Sequence, residues 1–582
     1  MAVISEALEA RIRQKLTFLY GEERGTALWQ RLRADLEAFE ARPASRKPSE
    51  RLSERDAVLI TYGDTLYQRG RPPLQTLHEF LASNLKDVIS TVHILPFFPY
   101  SSDDGFSVID YLEVDPKLGT WEDIHRLHGD FKLMFDAVIN HISTQSEWFQ
   151  RYLAGDPYYQ DFFIAVDPET DLSEVVRPRT HPLLTPFQMA SGETRHLWTT
   201  FSADQVDLNF ASENVLLEVL RVLLAYVKHG ADIIRLDAIA YLWKEIGTPC
   251  IHLPQTHAVV QLIRDVLDVV APDVLLITET NVPHAENISY FGDGRNEAQL
   301  VYQFSLPPLV VHSFRVGNAV ALSEWARTLE TLSDTTTFFN FTASHDGIGV
   351  RPATGLISDE DIQALVELAY ERGGQVSFKT NSDGTQSPYE LNVTYVDAII
   401  SENPAEPAVQ ARRFMTSQAI MLACVGVPGI YIHSLLGSRN WLDGVKKTGR
   451  ARTINRQKLL YEDVLAELRD PDTLRHHVFH RYLDMLRVRT THRAFHPNGA
   501  QEVVRLHDSL FTLMRTAPEA DERVLAIHNV SGRLISFSLH PEHLGMIAPG
   551  ALVDLLTGEE HEWAPGLTLT IDPYEVMWLK LR

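Results

Sequence analysis

The 582 residues carry 53 Lys and Arg against 77 Asp and Glu, a formal net charge of −24. That balance argues against nucleic acid as a partner, because a phosphate backbone needs a basic footprint, and against an anionic membrane surface. Hydrophobic content of 45% with 22% charged residues is ordinary for a globular enzyme, and only two cysteines, Cys250 and Cys424, exclude a disulfide framework and fit a reducing, cytoplasmic compartment.

Residues 1–50 read as an N-terminal helical extension and linker. Leu8, Ile12, Leu16 and Leu19 form one apolar stripe and Leu28, Leu32, Leu36 and Phe39 a second, before the polar stretch ARPASRKPSE. Charge from Glu6 onward leaves no signal-peptide core, and no apolar run reaches the roughly 18 residues of a membrane span.

From residue 51 strand-like and helix-like segments alternate. Eight near-continuous apolar runs, DAVLITY, DVISTVHIL, FKLMFDAVI, ADIIRL, DVLLIT, AQLVYQF, TFFNFTA and PGIYIHS, suit parallel strands buried on both faces. Eight such units predict an α/β fold, a closed (β/α)8 TIM barrel over 51–147 and 211–494, with its site at the C-terminal ends of the strands. Two stretches interrupt the alternation and are too long for simple connections. One is 148–210, rich in Pro, aromatics and Arg; the other is 349–405, with Gly373, Gly374 and the run TNSDGTQSP. From 495 to 582 the period changes to two, as in SLFTLMRT, RVLAIHNV and RLISFSLH, predicting an all-β C-terminal domain.

Four of the strand-like runs end abruptly in charge: FKLMFDAVINH, ADIIRLDA, VLLITETN and FFNFTASHD. A core strand has no structural use for a terminal carboxylate, and burying one unpaired is costly. Asp237, Glu279 and Asp346, with Arg235 two residues before Asp237 and His345 beside Asp346, therefore predict a cleft built for chemistry. Arg235 projects from the same face of its strand as Asp237 and can keep it ionised.

The order and spacing of DAVINH, RLDA, ITET and ASHD resemble the four conserved segments of the α-amylase superfamily, glycoside hydrolase family 13. Within it, LITYGD, GFSVIDY, VRPR, KKTG and TINR are similar to the sucrose phosphorylase subfamily. The resemblance covers most of the chain. It implies that 148–210 is the superfamily's domain B, walling the cleft, and that 349–405 caps the acceptor side. It also implies retaining chemistry, with Asp237 as nucleophile, Glu279 as acid/base and Asp346 as transition-state stabiliser, the two reacting carboxyls about 5 Å apart. Glu279 then needs a raised pKa.

The same resemblance implies that His141 and His345 contact the sugar, that Phe106 and Tyr111 stack on its apolar face, and that Asp64 and Arg456 pair to grip the far hydroxyls of one glucosyl unit. Arg179, in VRPR, matches a phosphate-side arginine, whose planar fork suits a tetrahedral dianion. Sucrose phosphorylases usually continue Val-His after the acid/base; here Thr280 and Asn281 follow. That departure weakens the case for fructose and points to an acceptor bearing a carboxylate, for which Arg179 and Lys244 are the candidate cations.

The expected activity is phosphorolysis of an α-glucoside of a small hydroxy acid, with inorganic phosphate as co-substrate and no cofactor or metal. Partners are then small molecules. Fructose or glycerol as acceptor, an α-glucosidase-type hydrolase and a non-catalytic sugar-binding protein are the rivals. Intact Asp237, Glu279 and Asp346 count against the last of these. His476 and His480 lie at i, i+4, but no carboxylate completes a zinc motif, and phosphate-cradling glycine loops are absent.

Overall fold

A computed structural model describes residues 4–381, 383–400, 406–545 and 549–582. Eight parallel strands close into a barrel in chain order: β1 (Val58–Thr61), β2 (Thr91–Ile94), β3 (Lys132–Ala137), β4 (Ala231–Leu236), β5 (Leu275–Thr278), β6 (Leu300–Tyr302), β7 (Thr337–Phe341) and β8 (Val427–Tyr431). Closure comes from β1 pairing β8, with Val58 opposite Gly429. All eight expected apolar runs supply a barrel strand. Nearly every residue of these strands is buried, as continuous Val, Ile, Leu and Phe runs require when helices cover the outside and side chains fill the inside. Gly429 is needed at its position, since a Cβ there would sit 2.3 Å from the ring of Phe339 on β7.

The N-terminal extension forms two helices, α1 (Glu6–Tyr20) and α2 (Glu22–Ala38), joined by Gly21 alone at φ 81°. Only glycine takes that conformation without strain. The Ser5 hydroxyl accepts from Leu8 N and caps α1. Ile12, Leu16, Leu28, Leu32 and Leu36 are buried as the stripes require, with Tyr20 and Trp29 added, while Leu8, Leu19 and Phe39 are half-buried at the margin. The pair docks on the barrel helices α3 (Glu213–Lys228) and α4 (Pro254–Val270). Arg11 and Lys15 bind Asp265 at 2.9 and 2.6 Å.

Between β3 and β4 the chain leaves the barrel. His141–Ser143 pairs with Gln205–Asp207, and a hairpin pairs Leu184–Gln188 with Thr194–Trp198. This excursion has its own small core of Val166, Val175, Leu183 and Trp198, with Cys250 packed in. After β7 a helix, Asp359–Glu371, precedes an antiparallel pair, Gln375–Thr380 and Gln386–Asn392. Ser382, within TNSDGTQSP, and residues 401–405 of this insertion lie outside the described residues.

The C-terminal strands form a six-stranded antiparallel sheet and a two-stranded one. Alternation divides their side chains between two cores. Phe511, Leu513, Val524, Ala526 and Trp578 join the barrel's hydrophobic cluster, while Leu510, Met514, Leu525, Ile527 and Leu579 face the domain's own. Among the described residues no helix is long and apolar enough to cross a membrane.

Candidate active site

Strand register builds the floor of the site. Asp136 on β3 and Arg235 on β4 are direct neighbours, and Arg235 is next to Ile277 on β5. Beyond the strand ends the ladder continues: Asp237 N donates to Ala137 O at 3.2 Å and Glu279 N to Leu236 O at 3.1 Å. The two carboxylates therefore stand level at the mouth of the barrel.

Arg235 ties the floor together. Its Nη1 donates to Asp237 Oδ1 at 2.7 Å and also to Asp136, while Nη2 lies 3.9 Å from Glu279 Oε2. The guanidinium sits between the rings of Phe106 and Tyr302, 5.7 and 5.5 Å away. Asp136 is held in turn by His93 at 2.6 Å. Ala238, next to Asp237, adopts φ 49°, a left-handed conformation costly for a residue with a Cβ. The kink aims its N–H at Glu279 Oε2, 3.1 Å away.

A cleft enclosing about 1040 Å³, open solvent at its mouth included, is lined by Asp237, Glu279 and Asp346 together with Phe106, His141, Arg179, Asn281 and His345. His345 stacks on Phe106 at 4.7 Å with the planes 2° apart. His141 Nε2 lies 2.9 Å from Phe106 O and 3.2 Å from Gln205 Nε2. Arg179 rests over the rings of Phe201 and Tyr389 at 5.9 and 5.3 Å. Among the described residues, the buried lining atoms Asn281 Oδ1 and His345 Nδ1 have no hydrogen-bond partner.

The carboxyls are tuned apart. Burial is the largest influence on Glu279; with Asp237 and Asp346 adding repulsion against Arg235, its pKa is pushed up to about 7. Burial also raises Asp237, opposed by Arg235. Asp346 goes the other way: burial would raise it, but Arg452, His345 and Arg456 together hold it well below the usual carboxylate range. Burial lowers His345 to about 3, so its imidazole is neutral at physiological pH.

Three expectations need correction. Tyr111 does not reach the cleft; it is buried, with its hydroxyl donating to Val138 O at 2.8 Å and near His141 O at 3.2 Å, and so braces the backbone beneath His141. Lys244 is no acceptor-side cation. It is buried 2.6 Å from Asp207 and donates to Asn140 at 2.9 Å, neutralising a carboxylate that also caps Thr200. Asp64 and Arg456 are not paired with each other. Lys458, over the Tyr62 ring at 4.4 Å, takes Asp64, and Arg456 instead donates to Asp104 at 2.6 Å and to His345 O at 2.8 Å. Arg456 adjoins the cleft through a neighbouring cavity.

Sequence reasoning missed Arg452, which binds Asp346 at 2.6 Å and Glu390 at 3.0 Å. It stands between the segments KKTG and TINR, and its place four residues before Arg456 was the available signal. Tyr389 and Glu390 were also missed, because they reach the cleft from an antiparallel hairpin rather than a barrel strand end. His476 Nδ1 and His480 Nε2 both approach Leu468 O, at 2.8 and 3.2 Å. Among the described residues no group of three or more His, Cys, Asp or Glu is placed to hold a metal ion.

This barrel, with its charged strand ends and its excursion after β3, is the architecture of a known family: residues 85–366 match the α-amylase catalytic domain. The chain belongs to the α-amylase family, in the branch that holds the glycoside phosphorylases. It is 53% identical to the glucosylglycerate phosphorylase of Spirochaeta thermophila over 98% of both chains. It is 48% identical to that of Allomeiothermus silvanus over the full length of both. A crystal structure of sucrose 6F-phosphate phosphorylase from Thermoanaerobacter thermosaccharolyticum superposes with a TM-score of 0.72 at 26% identity, covering 88% of this chain and 98% of the other.

Proposed function

We propose that this chain is a retaining glycoside phosphorylase that converts 2-O-α-D-glucosylglycerate and phosphate into α-D-glucose 1-phosphate and D-glycerate. The observation that carries the reading is the likeness to glucosylglycerate phosphorylases along the whole chain, at up to 53% identity, including every residue of the cleft's neighbourhood in its span.

Asp237 attacks the anomeric carbon while Glu279 protonates the departing glycerate oxygen, leaving a glucosyl ester on Asp237. Phosphate then displaces the ester, with Glu279 accepting its proton. Two inversions return the α configuration. A carboxyl group with a pKa near 7 suits a residue that must donate and then accept at neutral pH. Asp346, held ionised by Arg452 and Arg456, faces the positive charge that develops on the sugar ring, and neutral His345 hydrogen-bonds a hydroxyl.

Arg179 is the cation for phosphate and, in the reverse direction, for the glycerate carboxylate. Asn281 contributes its unpartnered amide oxygen to a hydroxyl on the acceptor side. The reaction needs no cofactor, metal or nucleic acid, only phosphate as co-substrate. The chain works in the cytoplasm, where phosphorolysis keeps the bond energy in a charged sugar phosphate that stays inside the cell.

Initial rates of glucose 1-phosphate consumption with glycerate, glycerol, fructose and water as acceptors test the assignment. Glycerate is expected to be fastest. Equal or better rates with fructose would move the chain to the sucrose phosphorylases, and a preference for water would make it a hydrolase.

A further inference from the structure

Beside the catalytic cleft lies a second cavity, walled by Phe201 of the excursion after β3, by Phe378 of the antiparallel hairpin and by the segment 450–453. Arg179, Glu390 and Arg452 line both cavities, so the outer one adjoins the acceptor side of the inner. Arg179, Arg450, Arg452 and Arg456 all line the outer one. Arg452 is committed to Asp346 and Glu390, and Arg456 to Asp104. Arg179 has aromatic rings about its guanidinium, and among the described residues neither it nor Arg450 has a carboxylate partner.

Arg450 is exposed but its backbone is fixed. Gly449, at φ 68°, ends the helix Leu442–Thr448; Arg450 N then donates to Thr448 Oγ1 at 3.2 Å, and its carbonyl accepts from Thr453 N at 3.2 Å. The basic run KKTGRAR thus mounts a cation with no ion-pair partner among the described residues, although Asp104 lies within its electrostatic reach, at the rim of a cavity that Asp103 also lines and that leads to the site.

Every ligand of the proposed reaction is an anion, and a chain of net charge −24 repels anions at long range. Local positive charge at the entrance offsets that repulsion. We propose that the outer cavity is an anion vestibule, in which Arg450 acts with Arg179 to capture inorganic phosphate and the carboxylate-bearing acceptor before they pass to the inner cleft. This inference rests on the phosphorylase reading above, and adds to it a residue that does not touch the reacting atoms.

The experiment measures kcat and KM for inorganic phosphate, at saturating glucosylglycerate, in wild type and in Arg450→Gln, Arg450→Glu and Arg450→Lys. Ionic strength is varied so that the screening length falls from about 30 Å to below about 8 Å. Arg450→Gln is expected to raise KM for phosphate about tenfold, the low end of electrostatic capture effects, with kcat moving far less. Arg450→Glu should raise it further, and Arg450→Lys should restore most of the loss. The dependence of kcat/KM on ionic strength should flatten in Arg450→Gln. An unchanged KM and an unchanged salt dependence in that variant overturn the vestibule while leaving the phosphorylase reading intact, and so does a fall in kcat at constant KM. A wild-type protein that consumes no phosphate overturns the reading itself and the vestibule with it.

Discussion

The two sides of the cleft are built on opposite principles. On the donor side the charges, buried or half-buried, are answered by one another: Asp136 by His93 and Arg235, Asp237 by Arg235, Asp346 by Arg452, Arg456 by Asp104. On the acceptor side Arg179 is only half-buried, cushioned by Phe201 and Tyr389, and Asn281 leaves an amide oxygen unpartnered. A network with all partners in place holds fixed geometry and supplies electrostatic stabilisation without reorganising. A cation resting on rings can exchange one anion for another. The donor side keeps the same glucosyl unit through both half-reactions, while the acceptor side must release glycerate and admit phosphate, and the division of charge follows that division of labour.

The comparison breaks most severely at Asp237. Asp237→Asn keeps the shape, removes the nucleophile and leaves Arg235 with less opposing charge; turnover is expected to fall by about 10⁴-fold or more. Steady-state rates with glucosylglycerate and phosphate, beside an unchanged circular dichroism spectrum, are the check. Near wild-type turnover would remove Asp237 from the mechanism.

Glu279 sharpens the boundary between the sides, because it serves both. As an acid with a pKa near 7 it must be protonated for glycerate to leave, so kcat/KM for glucosylglycerate should fall as pH rises through about 7. Glu279→Gln should lose that limb, and should recover glucosyl-enzyme formation with α-glucosyl fluoride, whose leaving group needs no proton. A pH profile of the variant identical in shape to wild type would contradict the role. The same shift bears on stability. A carboxyl whose native pKa lies above its ordinary 4.5 binds its proton more tightly when folded. Stability is therefore lost as pH rises from about 4.5 to about 7, and Glu279→Gln should melt higher than wild type at pH 8.

The smallest of the three effects is expected at Arg179. A charge-assisted hydrogen bond contributes about 1.5–3 kcal/mol, equivalent to roughly 10–150-fold in kcat/KM. Arg179→Ala should lose that factor with both phosphate and glycerate and much less with water as acceptor. A uniform loss across all three would place Arg179 among the structural supports and erase the contrast between the sides.

The donor side was largely legible from the chain, for a physical reason. Barrel strands are written as continuous apolar runs, so Asp237, Glu279 and Asp346 stand out where those runs stop. The eight strands were legible on the same grounds. What escaped was carried by side-chain reach across long separations. Arg452 and Glu390 come from a 3-10 turn and a hairpin with no periodic signature. Lys458 lies two residues beyond Arg456, and nothing local decides which of the two takes Asp64. Lys244 carries the charge an acceptor-binding residue would need, and only its burial against Asp207 reveals it as a strut.

The docking of α1 sets an order in time. Arg11 and Asp265 are 254 positions apart, so at about 5–20 residues per second of synthesis the extension waits roughly 13–50 s for its seat on α4 to be made. An amphipathic helix of this length is marginal alone in water, and α1 and α2 can meanwhile cover each other's apolar stripes across Gly21. The helix pair is thus made well before its seat, and it can close over α3 and α4, the helices on either side of β4 in the chain, only once α4, which follows Asp237 in sequence, has been made.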